Sequence, residues 1–255
     1  MKKRVAFACK GTAALLGAAL MVAVVGGCEH RPTAIYNPAL AKSFFPLEPS
    51  SVWTYRVQSK SQHETYIVTD RVVGLKYVPS LNVTGQLVEE YYNMDRGGSR
   101  PIVYVENSGF LSRLSGMQFG QGDIEIAPWG RSEDREFMPA RMAPNIHWDS
   151  TIFPFGHMAD AFDIRQSHVT VFDPDDVVVP AGRYSGCIRI DTHARYEGGQ
   201  YAKTAKPADL LYRDWYAPNV GLVKTEVLEG DENGTRMELV ELVKYIKAAN
   251  VAVNN

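Results

Sequence analysis

Short runs that alternate apolar and polar residues, cut by Gly, Pro and Asn, recur from Ser51 to Ile246. A period of two puts every second side chain on one face, the pattern of a half-buried strand. Residues 51–58 are the clearest case, with Trp53, Tyr55 and Val57 on one face and Val52, Thr54 and Arg56 on the other. Residues 63–73 and 85–94 read as further strands, linked through 76–84, where Pro79, Ser80 and Asn82 suit a turn. Residues 95–101 form a break, and 102–106 and 110–114 flank Asn107-Ser108-Gly109, a hairpin signal.

From 115 to 145 the periodicity is lost among Gly and Pro residues, so a long loop is expected, with room for a short strand at 123–127. Residues 148–153 read as extended and 156–163 as a short helix. Residues 167–172, 177–179 and 184–193 read as strands, with Val179-Pro180-Ala181-Gly182 as a type I turn and Ile188 and Ile190 facing inward. Residues 210–216 and 221–229 follow, parted by Pro218-Asn219, and a turn at 230–234 leads into 235–246. In that last stretch Leu239, Leu242, Val243 and Ile246 also fit a helical face, but the turn chemistry before it favours a strand. The expected fold is mainly β: a single curved antiparallel sheet, an incomplete barrel or a sandwich, with at most one or two short helices.

The first residues carry a different message. Met1-Lys2-Lys3-Arg4 is basic, and 13–25 is an uncharged apolar run of 13 residues. A spanning helix needs about 20, so the run fits the apolar core of a secretory signal rather than a permanent span. Val25-Gly26-Gly27-Cys28 closes it and resembles the lipobox of bacterial lipoproteins. That resemblance implies cleavage between Gly27 and Cys28, a diacylglyceryl group on the Cys28 thiol and a third acyl chain on its amine. Two or more chains hold a protein on a bilayer effectively permanently. Glu29 follows; with no Asp there, the enterobacterial sorting pattern points to the outer membrane, facing the periplasm.

The expected organisation is therefore a signal peptide at 1–27, a lipidated tether at 28–43 holding Pro32 and Pro38, a β-rich domain at 44–247 and a tail at 248–255. Without the signal's four basic residues (Lys2, Lys3, Arg4, Lys10), 23 basic residues face 29 acidic ones, a net of −6. That balance attracts neither nucleic acid nor an anionic lipid surface. Of three cysteines, Cys9 leaves with the signal and Cys28 is acylated, so only Cys187 remains and no internal disulfide can form. A packed core has to supply the stability.

Two groups of residues resemble a family of exported bacterial lipoproteins of uncharacterised function. One is Phe45-Pro46-Leu47 with Trp53-Thr54-Tyr55; the other is Val179-Pro180-Ala181-Gly182, Cys187 and the run from Trp215 to Lys224, with Tyr104-Val105-Glu106 before Gly109 between them. Ser50-Ser51 departs from the Gly usual before the Trp-x-Tyr. The resemblance implies a curved, mostly antiparallel β domain and no known activity, so no catalytic residue carries over.

Candidate chemistry is sparse. Asp191 and His193, two apart on one strand, could be an orienter and base or half a metal site, or simply a solvated face. His157, Asp160 and Asp163 would line one side of the short helix, yet a metal needs three or four converging ligands. Cys187 and His193 lie six apart on an expected single strand, about 20 Å, too far for a dyad. Asp173, Asp175 and Asp176 suit a turn better than a calcium loop, whose Gly and Glu positions fall on Val178 and Tyr184. No P-loop, Rossmann fingerprint, nucleophile elbow or zinc motif occurs, so neither cofactor nor metal is expected. The leading expectation is a non-enzymatic, lipid-anchored envelope protein, a binding or scaffold module whose partners are the membrane and an envelope protein or apolar ligand. Alternatives are a carrier of lipid or other apolar ligand in a LolA/LolB-like half-barrel, and a hydrolase with 115–145 as a lid.

Overall fold

The computed structural model describes residues 41–60, 63–93, 98–107, 109–115, 117–118, 124–125, 132–152, 163–197 and 209–248. A single helical turn, α1 (Ala41–Phe44), precedes β1 (Val52–Ser59), β2 (Glu64–Val78), β3 (Val83–Asn93), β4 (Gly98–Asn107) and β5 (Phe110–Ser115). Then come β6 (Met117–Gln118), β7 (Ile124–Glu125), β8 (Ser132–Pro139), β9 (His147–Ile152), β10 (Asp163–Phe172), β11 (Val177–Val179) and β12 (Gly182–Tyr184). The chain closes with β13 (Ile188–Glu197), β14 (Asp209–Ala217), β15 (Gly221–Glu229) and β16 (Arg236–Ile246).

Twelve strands form one antiparallel sheet in the order β8-β5-β4-β3-β2-β1-β16-β15-β14-β13-β10-β9, while β6–β7 and β11–β12 are separate two-stranded ribbons. The sheet curls until its edge strands meet. Trp148 on β9 donates its indole N–H to the Glu136 carbonyl on β8 at 2.7 Å and packs beside Met138. Among the described residues no ladder joins these edges, so the result is a nearly closed barrel with one unsealed seam. Closure of this kind limits the exposed strand edge that a flat sheet would offer for aggregation.

The alternation read from the sequence sorts the two faces. Trp53, Tyr55 and Val57 oppose Asp70, Val68 and Tyr66 on β2, and Tyr245, Leu242 and Val240 on β16. All three β1 residues are buried. A one-residue slip between β1 and β16 leaves Val243 unpaired, and the neighbouring Leu242 carbonyl accepts the Ala181 N–H at 3.0 Å, tying the β11–β12 turn to the barrel. Phe45, just after α1, plugs the same end, with ring centroids 4.9 Å from Tyr104, 5.6 Å from Phe137 and 6.2 Å from Tyr216.

Several boundaries differ from the sequence reading. β2 runs on to Val78 and β3 begins at Val83, because a bulge at Val73 lets the ladder resume on Gly74 and shrinks the turn to 79–82. β4 starts at Gly98 and includes Pro101, which lies beyond the last β4–β5 pair, Ile102 with Ser115, an edge-like place that tolerates Pro. The expected loop at 115–145 contains β8, an edge strand whose mostly charged first half hides its period, and the short strand at 123–127 is β7. Asp163, expected to end a helix, opens β10 opposite Glu197, and 156–162 lie outside the described residues. The expected strand 184–193 is split by Gly186 at φ +66°, so Cys187 precedes β13. Packing also starts before residue 44: Ala41 is buried and donates its N–H to the Ala140 carbonyl at 2.9 Å. The last strand is a strand, not a helix.

Candidate functional site

The inner face changes character along the barrel. At the Phe45 end it is aromatic and filled. Toward the other end, where β1, β3, β5, β9, β13 and β15 finish, it turns polar. Register fixes which side chains share it. Asp70 pairs with Trp53 and with Glu90, and Glu90 with Arg100. Tyr104 pairs with Arg113, Asp214 with Thr225, and Val227 with both Tyr212 and Glu238.

These residues act on one another across the interior. The Arg113 guanidinium, on β5, lies over the Phe137 ring at 4.6 Å. Its charge is felt by Glu90 on β3, His168 on β10 and Asp214 on β14. Strands so far apart in the sheet order share its field because the sheet encloses it. Four carboxyls (Asp70, Glu90, Asp214, Glu238) face two guanidiniums on this wall. Burial is the first cause of an upward shift in all four, carrying Asp70 to about 8 and Asp214 to about 6. Arg100 holds Glu90 at 2.8 Å, and the Tyr92 hydroxyl donates to the same carboxylate. Thr225 donates to Asp214 at 2.5 Å. Asp70 is left over: its Oδ1 is buried with no hydrogen-bond partner. Such an orphan costs about 1–3 kcal/mol.

A second polar group lies at the seam and was not singled out from the sequence. His168 Nε2 is 2.8 Å from Ser150 Oγ, its Nδ1 is 2.8 Å from Thr192 Oγ1, and its ring stacks on Trp148 at 4.7 Å. The order hydroxyl, imidazole, hydroxyl mimics a hydrolytic triad. The chemistry differs: Thr192 is neutral and cannot support an imidazolium, and all three lie buried on regular strands. Burial pushes His168 down to about 4; the Asp149 carboxylate opposes this and Arg113 adds to it. The row works as a fastening for edge strand β9. No sequence signal joins residues 150, 168 and 192 until their strands are paired.

That fastening makes the seam acid-sensitive. The unfolded chain takes up the His168 proton near its ordinary value of 6.5, the folded chain only near 4. Stability from the neutral imidazole is present above pH 6.5 and is lost as pH falls to 4, by about 3 kcal/mol. In urea titrations the stability lost between pH 7 and 4 should be about 3 kcal/mol larger for the wild type than for His168→Gln. Equal losses would contradict the assignment.

The sequence candidates fall elsewhere. Asp191 is on the outer face, where Arg189 grips it with two bonds of 2.7 and 3.0 Å, so its oxygens do not orient His193, which is exposed. Asp163 starts β10, while His157, Asp160, Gly27 and Cys28 lie outside the described residues. Asp173 accepts the Trp215 indole N–H at 3.0 Å and the Asp175 N–H at 3.2 Å, a turn role. Cys187 is buried, donates weakly to the Tyr184 carbonyl at 3.6 Å and is pushed up to about 12 by burial, so its thiol is inert. Among the described residues no three His, Cys, Asp or Glu converge to hold a metal, and no helix is long and apolar enough to cross a membrane.

No protein family and no curated protein matches the chain. Two solved structures resemble it. One is a candidate lipoprotein from Parabacteroides distasonis, 15% identical, with a TM-score of 0.48 over 80% of this chain and 98% of that one. The other is a candidate exported protein with a YmcC-like fold from Bacteroides fragilis, 17% identical, also at 0.48, over 80% and 99%. No residue role transfers at such identities.

Proposed function

We propose that the chain is a lipid-anchored cell-envelope protein, held in the outer membrane through Cys28, whose barrel binds a small cationic ligand on its polar inner wall. The observation that carries the binding reading is Asp70, whose Oδ1 is buried without a hydrogen-bond partner on a wall with three other carboxyls. An ammonium group would supply the hydrogen bond that Asp70 Oδ1 lacks and add positive charge beside the described carboxyls. An apolar cargo has less room, since Phe45, Trp53, Tyr55 and Tyr104 fill the apolar half of the interior. The address rests on the basic start, the apolar run and Gly27-Cys28.

The anchor is tested by Cys28→Ser: the protein should leave the membrane fraction. Retention there would end that part of the reading. For binding, thermal unfolding is measured with putrescine and spermidine against diols of equal length. A rise in Tm of about 5 °C near a hundredfold Kd is expected for the amines and not the diols. Asp70→Asn should abolish it. Equal or absent shifts for amines and diols would refute the cationic ligand.

A further inference from the structure

Beyond Val72, β2 and β3 project past β1, whose last pair with β2 is Val52 with Arg71. This projecting hairpin is apolar on both faces. On one side Val78 and Leu87 are buried against Val103, Val105 and Leu114. On the other, Val73, Leu75 and Tyr77 alternate outward and stand 48, 74 and 51% exposed. A strand apolar on both faces belongs between two apolar layers. Val103 on β4 and Leu114 on β5 lie beside Leu87 on one face of the sheet and cover it from the side. Beside the exposed face lies a cleft of about 470 Å³ between the hairpin (Leu75, Gln86) and residues 41–49, and the buried Gln86 Oε1 at its wall has no partner.

Position indicates what the second layer is. The cleft is lined by Ala41 and Lys42, so the chain from Cys28 joins the domain beside this hairpin. Twelve residues separate Cys28 from Ala41, which limits the domain entry to about 45 Å from an acylated Cys28. Val178 and Ile246, 60 and 46% exposed, belong to the same end, whereas Tyr91 is exposed at the opposite one. Clustered exposed apolar side chains with an interfacial Tyr fit a membrane surface.

We infer that the β2–β3 hairpin rests on the lipid bilayer, with Leu75 and Tyr77 entering its interface, so that the polar end of the barrel points away from the membrane. The inference rests on the Cys28 anchor, and its test separates the two. Full-length protein carrying Leu75→Cys or, as control, Tyr91→Cys is labelled with an environment-sensitive fluorophore and reconstituted into phosphatidylethanolamine–phosphatidylglycerol vesicles. Buried Cys187 stays unlabelled. Flotation with the vesicles reads the anchor. Quenching by lipids brominated on their chains reads the docking: at least about a twofold loss of signal is expected at Leu75 and almost none at Tyr91. Flotation with no quenching at Leu75, or with equal quenching at both sites, overturns the docking alone. Failure to float overturns the anchor and the docking with it.

Discussion

Replacing Asp70 with Asn should stabilise the folded chain by about 5 kcal/mol at pH 8 and leave it nearly unchanged at pH 4. Burial, reinforced by Glu90 and opposed by Arg100, holds the Asp70 carboxyl near 8, against the ordinary 3.8. The folded state therefore binds this proton more tightly than the unfolded chain does. Its contribution is complete below pH 3.8 and is lost as pH rises through 8. Asp214, near 6, acts in the same direction over a narrower window. Asn keeps the shape of the protonated acid and removes the titration. Denaturant titrations from pH 4 to 8 check this: the wild type should weaken as pH rises, and the variant should weaken much less. A gain without ligand, paired with loss of amine binding, is the trade expected where a site stores destabilising groups. If Asp70→Asn weakens the protein at pH 8, the carboxylate has a partner and the binding proposal loses its basis.

Trp53→Ala should cost about 4 kcal/mol, enough to unfold a marginal domain. Trp53 is buried, stacks on Tyr245 at 5.3 Å between centroids and donates its indole N–H to the Val220 carbonyl at 2.5 Å. Its ring also lies 3.4 Å from where a side chain on Gly221 would begin, and Gly221 has φ +100°. Truncation thus opens a cavity at the joint between β1 and the β14–β15 turn and orphans a carbonyl. Trp53→Phe keeps most of the packing and loses the bond, so it should recover more than half of the stability. Urea midpoints of the three proteins decide it; equal midpoints for Ala and Phe would show that packing is not the main term.

The strands were legible where one face is apolar and the other wet. On β1 the pattern is clean because Trp53, Tyr55, Val57 and Ser59 are buried and the residues between them are half-buried. β8 is hard to read because its first half, Ser132-Glu133-Asp134-Arg135, is polar throughout and shows no apolar period. The length of β2 was missed because a bulge resets the alternation at Val73. Asp191 and His193 do share a face, as spacing implied, but Arg189 on that face claims the carboxylate. The inner carboxyls drew no notice, since in sequence each is one polar residue in an alternating run.

Sequence alone determined that the chain builds an antiparallel sheet, that this sheet has a core of aromatic anchors, and that its start carries the pattern of a lipid-anchored export signal. These are local properties: side-chain period, turn chemistry and charge along a short stretch. Only the tertiary structure decided that the sheet curls back to join Trp148 to Glu136, and that Asp70, Glu90, Arg113, Asp214 and His168 enclose one interior. The reason is geometric. Curvature and closure add up over twelve strands, and the field inside depends on which distant residues that sum brings face to face.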